Sequence, residues 1–205
     1  MRLSPVLWFA AALVPMLASQ LVRLQQTDPT AWIAWDYAGR LGALAVLFAV
    51  PAARSVAFRF DKLQIEWWEV AAWTIGLILA DHYAGAWIRQ ILNDAVPASV
   101  YGHYPETQGA LRTFDVVLGL ALVAWHEEIV FRRCARDVFA RWFGDGTAMI
   151  VATSLLFGAY HWWGGLGTVA EAMLMGGLLM LFYRRAGALW PAVLAHYLVD
   201  IVDFI

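Results

Sequence analysis

Residues 114–139 read FDVVLGLALVAWHEEIVFRRCARDVF. A helix needs about 20 largely apolar residues to cross a hydrocarbon core roughly 30 Å thick, and this stretch is long enough. Yet it carries Glu127, Glu128 and Arg132 within its apolar run. A charged side chain at bilayer depth costs about 2.5–3.5 kcal/mol on insertion scales. Such residues therefore face a bundle interior or a wet cavity, where they carry out chemistry or transport. Two further clusters follow in apolar surroundings: His161, four residues after Phe157, and His196, four residues before Asp200.

The whole chain suits a membrane. Of its 205 residues, 62% are hydrophobic and 15% charged, with mean hydropathy +0.62. A soluble domain is nearer half apolar and a quarter charged. Twelve Trp and seven Tyr supply the aromatics that gather at membrane interfaces. The net charge of −2 argues against a nucleic-acid partner. The sole cysteine, Cys134, excludes an intrachain disulfide and a cysteine-rich metal site, and is read as a small packing residue.

The expected architecture is all-α, a polytopic helical bundle of about seven transmembrane helices (six to eight), in one integral membrane domain over 1–205. Spans are placed at 4–22, 37–58, 69–92, 114–139, 147–164, 168–183 and 187–204. The first is taken as a retained helix rather than a cleaved signal peptide. The second is interrupted by Arg40 and Pro51, and the third contains Asp81 and His82. Residues 93–113, with Pro97, Gly102, Pro105 and Gly109, form a loop that would cover one mouth of the bundle. With seven spans, ten basic residues, Arg2 among them, fall on one side and four on the other. The positive-inside rule then puts the N-terminus in the cytoplasm and the C-terminus outside. Compactness and the lack of eukaryotic targeting signals point to a bacterial inner (plasma) membrane.

Helical spacing sorts the polar residues. Glu128 and Arg132 stand at i and i+4 with Glu on the N-terminal side, the favoured orientation for an ion pair. That pairing leaves Glu127 to face a cavity, where a partly desolvated carboxylate suits proton abstraction from water. Phe157 and His161 share a helical face, as do His196 and Asp200. Glu127 precedes Asp145 by about as many residues as His161 follows it, so a hairpin turning at Gly144–Gly146 would set the two at similar depth. Asp200 could orient the His196 imidazole, accept its N–H, or donate if protonated. Asp81-His82 and Glu171 are read as structural ionisables, and His103 as a solvated loop residue. His126 is left out because it points elsewhere on its helix. Gly176-Gly177 reads as close helix packing and the Gly164–Gly167 cluster as a turn.

Taken together, Glu127-Glu128-x-x-x-Arg132, Phe157-x-x-x-His161 and His196-x-x-x-Asp200, in that order, resemble the three motifs of the CPBP intramembrane proteases. That family includes the CAAX prenyl endoproteases and bacterial Abi-type or bacteriocin-associated proteins. The resemblance covers roughly residues 114–204, with 1–113 contributing helices and a loop. It implies an endopeptidase in which Glu127 and His161 activate water, while His196 and the residue at 200 stabilise the oxyanion. Glu128, Arg132 and Phe157 would support them. The third motif more commonly ends in Asn, and here it ends in Asp200. The implied partners are the bilayer and a peptide or protein with a hydrophobic or lipidated segment. No cofactor is firmly expected. If a divalent metal such as zinc took part, Glu127, His161 and His196 would be its ligands, although no H-E-x-x-H pair occurs. Two rival readings use the same residues: a non-catalytic peptide-binding scaffold or immunity protein, and a small proton-coupled transporter.

Overall fold

The computed structural model describes residues 4–204, and Arg2, counted above among the basic residues, lies outside them. No strand occurs among the described residues, and helices occupy all the expected spans.

Local chemistry sets the helix ends. Helix α1 (Pro5–Arg23) starts at Ser4, whose hydroxyl accepts from the Leu7 N–H at 3.3 Å. Helix α2 (Pro29–Ala49) starts at Asp28, whose carboxylate accepts from the Ala31 N–H at 2.8 Å. In each, a proline takes the first helical position, where a missing N–H leaves no bond unmade. The expected span 37–58 is not one helix. Val50 is extended (φ −93°, ψ 111°), and Pro51 opens a separate α3 (Pro51–Ala57) bent 114° from α2. The cause is steric: proline drives the preceding residue out of the helical region and cannot donate to the turn behind it.

Helix α4 (Trp67–Leu79) continues through a π turn at Ala80–Gly85 into α5 (Ala86–Ala95). Helices α6 (Gly109–Phe114), α7 (Leu120–Glu127) and α8 (Ala135–Phe143) are joined by π turns at Asp115–Gly119 and Glu128–Cys134. Such turns are rare and cluster at functional sites. Each of these holds an acidic residue: Asp81, Asp115 or Glu128. Helices α9 (Thr147–Tyr160), α10 (Leu166–Ala186) and α11 (Trp190–Phe204) complete the chain. The expected span 147–164 stops short, because α9 ends at Tyr160 and a 3-10 turn covers Trp162–Gly164. Gly165 follows at φ 96°, a conformation that suits glycine and breaks the helical path.

Among the described residues, two helices, α1 and α10, are long and apolar enough to cross a membrane by themselves, or three if α2 and α3 count as one bent span. Such outward residues of α1 as Leu7, Val14, Leu17 and Leu21 are apolar, as lipid contact requires.

The chain forms two compact units. One contains the chain up to Arg59 together with Tyr104–Val138; the other contains Phe60–His103 and everything from Phe139 onward. In the first, α1 packs along α2 and α3 packs on the π turn Glu128–Cys134. Tyr104 sits edge-on to Trp32 at 4.9 Å, and its hydroxyl donates to Asp115 Oδ1 at 2.8 Å. Burial, and then the Asp115 carboxylate, hold that phenol well above its ordinary range. Cys134 is buried here with its thiol free.

In the second unit, α10 packs against α9 and α5, and α4 packs against α11. Close approach of α9 and α10 depends on missing side chains. A Cβ on Gly158 would strike Met173 and the Val169 carbonyl, and one on Gly176 would press on the Phe157 ring at 3.0 Å.

Candidate active site

The carboxylates of the first motif sit in the first unit. Glu128 and Arg132 are fully buried, with Glu128 Oε2 3.1 Å from Arg132 Nε. Glu127, expected from spacing to face a cavity, is also buried, at 1% exposure, and is held in an ion pair. Its Oε1 accepts from Arg40 Nη1 at 2.6 Å. The same guanidinium donates from Nε to Asp36 Oδ2 at 2.8 Å, and Asp36 also accepts from Arg23. Arg23 in turn lies 4.3 Å over the Trp32 ring. His126 belongs to this network as well, its Nδ1 3.3 Å from Arg40 Nη1. An arginine can only donate, so Nδ1 accepts and the neutral imidazole carries its proton on Nε2.

The second and third motifs sit in the other unit. His161 is the first residue past the end of α9, not a mid-helix residue. Its Nδ1 is 2.8 Å from the Phe157 carbonyl, which can only accept. In the neutral ring, Nδ1 therefore carries the proton and Nε2 is the basic nitrogen. The Phe157 ring meets both imidazoles edge to face, with centroids 4.7 Å from His161 and 6.2 Å from His196. His196 Nε2 is 3.6 Å from Asp200 Oδ1, one turn along α11.

The segment after His161 is tied down by the polar loop read as a mouth cover. Asn93 donates to the Gly164 carbonyl at 3.0 Å and accepts from the Gly167 N–H at 2.7 Å. Ser99 Oγ accepts from the Leu166 N–H at 3.0 Å, and the Tyr101 N–H donates to the Trp163 carbonyl at 2.9 Å.

Phe157, His161, His196 and Asp200 line one cavity of about 160 Å³. It also contains Asp81, Arg89, Glu171 and Asp203, with Met175 and Leu179 forming apolar wall. Arg89 donates to Glu171 Oε2 at 3.1 Å and lies 4.0 Å from Asp203. Asp81 and Glu171, read from the sequence as structural, thus face the same space as the two histidines. Arg89 and Asp203 were not singled out at all. They lie on different helices, and only the fold brings them together.

Among the described residues, no group of three or more His, Cys, Asp or Glu side chains is placed to hold a metal ion. The ligand set expected from Glu127, His161 and His196 finds no support there.

Residues 109–202 fit the family model described as type II CAAX prenyl endopeptidase Rce1-like. No curated protein and no solved structure matches the chain. All three motifs fall inside the matched segment, whereas Arg23, Asp36, Arg40, Asp81 and Arg89 precede it. Residues 109–202, a little under half of the chain, are thus similar to the Rce1-like family of the CPBP intramembrane proteases.

Proposed function

We propose that this protein is an intramembrane endopeptidase that cleaves a membrane-associated protein or peptide, with Glu127 and His161 activating the attacking water. Glu127 takes one proton as the water oxygen bonds to the scissile carbonyl carbon. The resulting oxyanion accepts a hydrogen bond from His196, which Asp200 orients. Collapse breaks the C–N bond, and the proton held by Glu127 passes to the leaving amine. An ionised Asp200 cannot donate to an oxyanion, so orientation of the imidazole is its role. No step requires a metal.

One observation carries this reading. His161, His196 and Asp200 open onto a single cavity, within the segment that matches an endopeptidase family. The family match supports a substrate class of peptides or proteins with a hydrophobic or lipidated segment. We place the protein in a bacterial inner membrane with its N-terminus cytoplasmic. The basic-residue asymmetry behind that orientation persists when the buried Arg23, Arg40, Arg132 and Arg133 are left out.

The test compares peptide termini in membrane extracts from cells making wild type or Glu127→Ala. Termini present only with wild type are expected, together with cleavage of a farnesylated CAAX peptide by the purified protein. Identical termini from a folded Glu127→Ala would sink the reading and favour a peptide-binding scaffold. Solute uptake into liposomes without any cleavage would favour a transporter.

A further inference from the structure

We propose that Arg40, outside the family-matched segment, is a positioning residue for Glu127. Arg40 would hold that carboxylate in the orientation from which it takes a proton from water. The inference rests on the endopeptidase reading of Glu127.

The geometry is that of a relay of alternating charge. Arg23 pairs with Asp36, Asp36 with Arg40, and Arg40 with Glu127, all buried in one compact unit. Each of these buried charges sits beside an opposite one, so removing Arg40 leaves Asp36 and Glu127 each short of a buried counter-charge. The guanidinium is a rigid planar fork, and here two of its nitrogens are committed to different carboxylates. Nε on Asp36 fixes the plane of the fork, and Nη1 on Glu127 Oε1 then fixes the carboxylate. The Arg40 Nη1 contact to His126 Nδ1 adds a third constraint. A lysine could supply the charge but not this planar geometry. Misplacing a reacting group by about 1 Å can cost on the order of 100-fold in rate.

The N-terminal helices thereby acquire a catalytic purpose. Arg23 lies on α1, while Asp36 and Arg40 lie on α2, four residues apart on one face. They serve as the mount for a carboxylate 87 residues beyond Arg40 in the chain.

The experiment follows the Glu127-dependent termini in membranes carrying wild type, Glu127→Gln, Arg40→Gln or Arg40→Lys, each normalised to folded protein. Expected are loss of the termini with Glu127→Gln, a fall of about 10- to 100-fold in their rate of appearance with Arg40→Gln, and partial rescue by Arg40→Lys. Isotope-edited infrared spectra should also show the Glu127 carboxylate band displaced in both Arg40 variants. Wild-type rate in a folded Arg40→Gln, or an Arg40→Lys no faster than Arg40→Gln, overturns the inference and leaves the endopeptidase reading standing. If Arg40→Gln does not accumulate, a wild-type rate and an unshifted band in Arg40→Lys overturn it instead. Termini insensitive to Glu127→Gln overturn the endopeptidase reading and the inference with it.

Discussion

Glu128 and Arg132 meet one helical turn apart, Oε2 to Nε at 3.1 Å, with both side chains fully buried. The pair lies within the π turn Glu128–Cys134. It has no solvent to fall back on, so its worth lies in being whole.

Removing one partner should therefore be far worse than removing both. Arg132→Leu is expected to cost about 3–5 kcal/mol by leaving a buried carboxylate uncompensated. Glu128→Leu combined with Arg132→Met should recover much of that loss. Unfolding curves in mild detergent for the two singles and the double would check it.

Asn93 offers a milder handle on the His161 segment. Asn93→Ala removes two hydrogen bonds, to the Gly164 carbonyl and from the Gly167 N–H. At about 1 kcal/mol each, the loss should be roughly 2 kcal/mol. Hydrogen exchange should quicken at residues 161–167, while the amides of α1 and α2 keep their protection.

Asp200 separates two roles by two substitutions. Asp200→Asn keeps a side chain that can both orient His196 and donate, and it should retain activity. Asp200→Ala lets the imidazole swing and should lower kcat by about 10²- to 10³-fold. Initial rates on a farnesylated CAAX peptide give the comparison.

Chelation bears on the metal question. Cleavage should persist after prolonged treatment with a strong zinc chelator, and elemental analysis should show less than one zinc per chain. Activity lost to chelation and restored by zinc would contradict the metal-free scheme.

The helices were largely legible because hydropathy reports burial in lipid or protein over lengths of twenty residues. Their ends were less so. Pro51 split α2 from α3, and α9 gave way after Tyr160 to a 3-10 turn that Gly165 follows, both local backbone effects inside apolar runs. The Glu128–Arg132 pair was legible because both partners lie on one turn. The Arg40–Glu127 pair was not, since its members are 87 residues apart and no periodicity links them. Even so, Asp36 and Arg40 at i and i+4 within an apolar stretch carried the same signal as the later motifs. Asp81, Glu171 and Asp203 sit on separate helical segments, and only packing brings them to the cavity that His161 and His196 share.

The π turns have a consequence for comparison between proteins. An i→i+5 turn takes in one residue more than an i→i+4 turn, so every side chain beyond it is rotated by about 100° relative to a regular helix. Where a relative has a regular α-helix over residues 128–134, a correct superposition needs a one-residue gap in the middle of the helix. Alignment methods penalise gaps there most heavily. An ungapped superposition there puts Arg132 against the wrong face.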